Sequence, residues 1–151
     1  MRFSILGLFI AAAIFAPNLL FALLPPRQIP EGLKSAGLLF TVCERIGQAA
    51  CMLILIFSGA DWKVNSVHVW FVLMTASILI YEGLWIRYFT QGREFSLLFG
   101  PLCGIPIPMA VFPVLAFGFA AVWVGSIWLG MAVAVFAIGH FANSWATYKS
   151  L

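Results

Sequence analysis

Three groups of polar residues interrupt sequence that is otherwise as apolar as a lipid tail. Glu44, Arg45 and Gln48 fall in "LLFTVCERIGQAACMLILIF", Leu38 to Phe57. Glu82 and Arg87 fall in "YEGLWIRYF", and His140, Asn143 and Ser144 in "GHFANSW". A carboxyl shielded from water and a neutral imidazole are suited to proton transfer. That makes Glu44, Glu82 and His140 the candidate catalytic groups. The wider candidate ligand-binding set is Glu44, Arg45, Gln48, Glu82, Arg87, His140 and Asn143. Nothing in the spacing suggests a metal or a cofactor: there is no HExxH, P-loop, GxSxG or CxxCH.

Helical geometry sorts these groups. Glu44 and Gln48, at i and i+4, share a face, and so do His140, Asn143 and Ser144. Glu44 and Arg45 are neighbours, about 100° apart around a helix, so each needs a partner on a different helix. The expected pairs are Arg45 with Glu82, and Glu44 with Arg87 or His140. Gly47, Ala49 and Ala50 would let helices approach closely there. Each residue also has a purely structural explanation. Arg87 is near enough to a helix end to snorkel to the headgroups, the Glu44–Arg45 group can serve as an interhelical bridge, and His140 can be a packing histidine bonded to Asn143.

The elements that carry these residues follow from composition. Of 151 residues, 64% are hydrophobic and 9% charged, against about 25% charged in a soluble domain. The mean hydropathy is +1.07. Too little polar surface exists to coat a water-facing globule, and the apolar runs have the ~20-residue length that spans a bilayer core. "MLILIF" and "VLMTASILI" do not alternate, which excludes a β-barrel. The reading is an all-α integral membrane bundle, multi-pass in the cell membrane, as one transmembrane domain over residues 1–151.

Five spans are expected, at about residues 3–24, 37–60, 67–89, 107–122 and 127–146. The first could pass for a signal peptide, but its apolar core exceeds the ~7–15 residues of an h-region. Pro17 should kink it by freeing the carbonyl of Ala13, with Asn18 as a possible partner. Trp62 and Trp70 at one end of the third span, and Tyr81, Trp85 and Tyr88 at the other, suit the membrane interface. His68 reads as an interfacial residue. The tract from Ile105 to Tyr148 is too long for one span, so "WVGSIW", Trp123 to Trp128, is expected to turn. Pro106, Pro108 and Pro113 leave a re-entrant fourth segment as the alternative.

One face of this bundle carries Arg27, Lys34, Arg87, Arg93 and Lys149, and the other Arg2 and Lys63. Positive-inside bias then puts the N-terminus outside and the C-terminus in the cytoplasm. The same topology gathers the strongest polar groups in the cytoplasmic leaflet. The net charge of +3 comes from eight dispersed Lys and Arg without a polybasic cluster, which gives a nucleic-acid role no support. Cys43, Cys51 and Cys103 form no CxxC; Cys43 and Cys51 are roughly 12 Å apart along one helix, too far for a disulfide.

Taken together, "ERIGQ" (Glu44 to Gln48), "YEGLWIRYF" (Tyr81 to Phe89), "IPIPMAVFPV" (Ile105 to Val114) and "GHFANSW" (Gly139 to Trp145) resemble a family of small uncharacterised bacterial membrane proteins, commonest in Firmicutes. The resemblance covers most of the chain after about residue 38. It implies a small bacterial polytopic protein and carries no activity with it.

Three functions fit these readings. A polar cluster in one leaflet under an apolar half suits a site for a lipid-like amphiphile, bound or acted on. An intramembrane glutamate can carry protons in a small ion-coupled transporter, although an odd number of spans without an inverted repeat argues against it. Short loops suit an accessory or assembly subunit whose charges lock helices together. The expected partners are membrane lipids, a lipid-like small molecule, and a second copy or another membrane subunit.

Overall fold

The computed structural model of the protein describes residues 2–57 and 69–151. These residues form five α-helices and no strand: α1 (Ile5–Leu23), α2 (Leu38–Phe57), α3 (Val69–Thr90), α4 (Pro108–Val124) and α5 (Ile127–Tyr148). A short 3-10 turn, Phe95–Leu98, lies between α3 and α4. In hydrocarbon, backbone N–H and C=O groups have no water to bond, and a helix satisfies them internally. α1, α2, α3 and α5 are long and apolar enough to cross a membrane, while α4, with 17 residues, is shorter. The expected end of the second span at 60, the start of the third at 67, and Trp62 and His68 lie outside the described residues.

Local chemistry sets the helix ends. Ser4 caps α1 by accepting a hydrogen bond from the Gly7 N–H at 3.0 Å, and Ser126 caps α5 by accepting from Leu129 at 3.2 Å. Between α4 and α5 the chain reverses at Gly125, whose φ of 66° suits a residue without Cβ. The N–H groups of Gly125 and Ser126 donate to the carbonyls of Val122 and Ala121 at 3.2 and 3.0 Å, closing the end of α4 in a Schellman arrangement. Before α4, Leu102 and Ile105 exchange two backbone hydrogen bonds around Cys103 and Gly104.

α2 packs most extensively on α5, and α3 on α4; α4 also packs on α5, and α1 lies against both α2 and α3. The start of α1 meets the end of α2, through Ser4 N–H to the Ile56 carbonyl at 2.8 Å and Phe3 against Phe57. Its end meets α3, through Asn18 with Tyr81 and Phe21 with Trp85 and Tyr88. α4 is the most enclosed helix, with Ala116, Phe117 and Ala120 at 0–1% exposure. The longer helices turn Leu, Ile and Val outward, as lipid-facing surfaces do.

One contact governs the site. A Cβ on Gly47 would collide with the backbone of Phe136, and one on Gly139 with the backbone of Glu44 and Phe40. α2 and α5 therefore touch main chain to main chain, which only glycine permits.

Three aromatic expectations are corrected. Tyr81, Trp85 and Tyr88 are 4%, 6% and 0% exposed, so they form buried core and do not sit in an interfacial belt. With Met74, Ser77 and Leu84 they make the inward stripe of α3; Tyr81 and Tyr88 meet Trp85 edge-on, Trp85 and Tyr88 pack on Phe21, and Trp85 stacks on Phe89. Near Pro17, the Asn18 side chain donates to the carbonyl of Ile14 at 3.4 Å, one residue beyond the freed carbonyl of Ala13.

Candidate functional site

The close approach of α2 and α5 brings Glu44, His140 and Asn143 together. His140 Nδ1 is 2.7 Å from Glu44 Oε1, and Asn143 Nδ2 donates to Glu44 Oε2 at 2.6 Å. His140 and Asn143 are three residues apart on α5, so both face α2. The amide of Asn143 is oriented from both ends, because its Oδ1 accepts from the Ala36 N–H at 3.3 Å. A carboxylate only accepts hydrogen bonds, so Nδ1 of His140 donates to Glu44 and Nε2 is the ring nitrogen left free of it. The ring also stacks on Phe136, centroids 4.8 Å apart. Glu44 thus fixes both the tautomer and the plane of a half-buried imidazole, an arrangement able to accept or deliver a proton at Nε2.

His140 also lines a cavity of about 250 Å³ among α1, α3, α4 and α5. One part of its wall is polar: Asn18, Tyr81, Trp85, His140 and Ser144. The remainder is apolar: Phe21, Leu98, Phe99, Ile107, Met109 and Ala110. Asn18 Nδ2 donates to the Tyr81 hydroxyl at 3.2 Å. The Trp85 indole nitrogen, which can only donate, is buried beside the Tyr81 hydroxyl and makes no hydrogen bond of good geometry. Ile107, 5% exposed, has a φ of 48°. That conformation is strained for a β-branched residue, and such strain gathers at functional walls.

The other residues singled out in the sequence are placed elsewhere. Arg45 is exposed and Glu82 half-buried, and among the described residues the one contact between an acidic and a basic side chain is Glu44 with His140. The expected Arg45–Glu82 pair is therefore not made. Gly47 turns one side of α2 to α5, and Arg45, two residues before it, points to nearly the opposite side. Glu82 Oε1 is buried without a partner. Arg87 bends onto the loop, with Nη2 donating to the Leu97 carbonyl at 3.1 Å, instead of pairing with Glu44. Gln48 is half-buried one turn beyond Glu44 and is not among the groups bonded to it. No group of three His, Cys, Asp or Glu placed to hold a metal occurs among the described residues. Asn18, Tyr81 and Trp85 were missed as site residues. The i, i+4, i+7 spacing of Tyr81, Trp85 and Tyr88 is the signal that marks one inward face.

Apolar helices of membrane-crossing length around a half-buried acid–imidazole pair define a small, multi-pass helical membrane protein. Compared with known proteins, the chain matches no family model, no curated protein and no solved structure.

Proposed function

We propose that this chain is a five-span bundle, N-terminus outside and C-terminus cytoplasmic, that binds a lipid-like amphiphile in the cavity beside His140. The observation that carries the reading is a cavity whose wall joins the Glu44-held imidazole of His140 to the polar group Asn18, Tyr81 and Trp85, with apolar residues over the rest. A ligand with a polar oxygen would face His140, Tyr81 and Trp85, and an apolar body would lie against Phe21, Phe99 and Met109. The charge on Glu44 is already met by His140 and Asn143, which favours a neutral carbonyl or hydroxyl head over an ionic one. The five-to-two distribution of Lys and Arg supports the orientation. The four quoted segments support kinship with small bacterial polytopic proteins.

The reading is tested by native mass spectrometry and solvent extraction of protein purified in mild detergent. Wild type should retain a specific neutral amphiphile. Ala110→Leu, which fills the cavity, should lose it, and Trp85→Phe should retain it less well. Wild type and both variants carrying the same bulk lipids in the same proportions would overturn the reading.

A further inference from the structure

Two ionisable residues at one depth lack an oppositely charged partner among the described residues. Arg45 is exposed on α2 and lies outside the one contact between an acidic and a basic side chain among the described residues. Glu82 is half-buried at the edge of α3, and its Oε1 has no hydrogen-bond partner among the described residues. Arg45 lies about 10 Å along the axis from the start of α2, and Glu82 about 12 Å from the end of α3, at the same face of the bundle. The site ties the two levels together independently. Glu44, beside Arg45, holds His140, and His140 shares a cavity wall with Tyr81, beside Glu82.

Both charges sit in surfaces built for an apolar environment. Val42 and Ile46 flank Arg45 at 41% and 60% exposure, and Leu79 and Ile86 flank Glu82 at 66% and 61%. Ala49 is exposed one turn from Arg45, and Gly83, next to Glu82, has nothing within 4 Å of where a Cβ would stand. Small residues beside the charges leave room for another backbone. Within one chain the two do not meet, since α2 packs on α5, α3 packs on α4, and α1 packs against both α2 and α3.

We propose that a second copy of this chain supplies the missing partner: Arg45 of one copy pairs with Glu82 of the next, within the bilayer. Charge complementarity at matched depth names the occupant. A guanidinium and a carboxylate neutralise one another in two parallel hydrogen bonds, and lipid tails offer neither charge a partner.

The full chain is tested in membranes by co-purification of two differently tagged copies. Wild-type copies should capture each other. Arg45→Glu alone, and Glu82→Arg alone, should each reduce self-capture at least tenfold. A copy bearing Arg45→Glu, co-expressed with one bearing Glu82→Arg, should recover it, because every contact then joins opposite charges. Wild-type copies that do not associate, single variants that self-associate like wild type, or a mixed pair that fails to recover would each overturn the proposal. If the charge-reversed chains do not accumulate, disulfide cross-linking decides with both native charges in place. Ile46→Cys and Gly83→Cys, in a chain lacking Cys43, Cys51 and Cys103, should give a dimer on oxidation in membranes, and its absence overturns the proposal.

Discussion

A single methyl group on Gly139 should disconnect Glu44 from His140. Built on the backbone, that Cβ lies 2.8 Å from Glu44 Cα and closer still to Glu44 N and Phe40 O. Carbon atoms pack at ~3.5–4.0 Å, and all three obstacles are backbone atoms that cannot rotate away. α2 and α5 must therefore separate by about 1 Å. The 2.7 Å His140–Glu44 and 2.6 Å Asn143–Glu44 contacts would then lengthen beyond the ~3.2 Å limit of an N–H···O bond. Overpacking costs ~1–3 kcal/mol, and each hydrogen bond to a charged group contributes ~1.5–3 kcal/mol. The gain in helix propensity from Gly to Ala, ~1 kcal/mol, offsets part of this. Gly139→Ala should thus lose at least ~2 kcal/mol, and Gly47→Ala, blocked by the backbone of Phe136, should lose stability in the same direction. Gly118→Ala is the control: nothing lies within 4 Å of its Cβ, so it should be neutral or slightly stabilising. Reversible unfolding by SDS in mixed micelles measures all three. If Gly139→Ala unfolds at the same SDS fraction as Gly118→Ala, the backbone contact between α2 and α5 is not what holds the site.

Removing one member of the Glu44–His140 pair should cost more than removing both. His140→Phe leaves the carboxylate with Asn143 alone, at the lower end of ~3–5 kcal/mol because the pair is partly exposed, and adding Glu44→Leu should recover most of that in the same unfolding assay. Cys103 is exposed and Cys51 fully buried, so a maleimide should modify Cys103 in folded protein and Cys51 only after unfolding; equal rates would contradict the packing of α2. In a cysteine-free chain, an impermeant thiol reagent on intact cells should label Ile127→Cys, at the α4–α5 turn, and leave Ser35→Cys untouched. The reverse pattern would invert the proposed orientation.

The helical membrane class was legible in the residues themselves. Runs of about 20 apolar positions can satisfy their backbone in hydrocarbon only as helices, and composition is enough to recognise them. The shared faces of Glu44 with Gln48 and of His140 with Asn143 follow from the 3.6-residue period alone. Partner choice does not. Glu44 meets His140, and Arg45 does not meet Glu82, because α2 lies on α5 and is rotated so that Gly47 and Gly139 are at the crossing. Which helices are neighbours, and at what rotation, depends on packing across the whole bundle. The same limit hid the aromatic core. In a membrane the lipid-facing and protein-facing sides of a helix are both apolar, so hydropathy cannot separate a belt tyrosine from a buried one. Only the assembled helices show that Tyr81, Trp85 and Tyr88 face inward, and that Tyr81 and Trp85 share a cavity wall with His140.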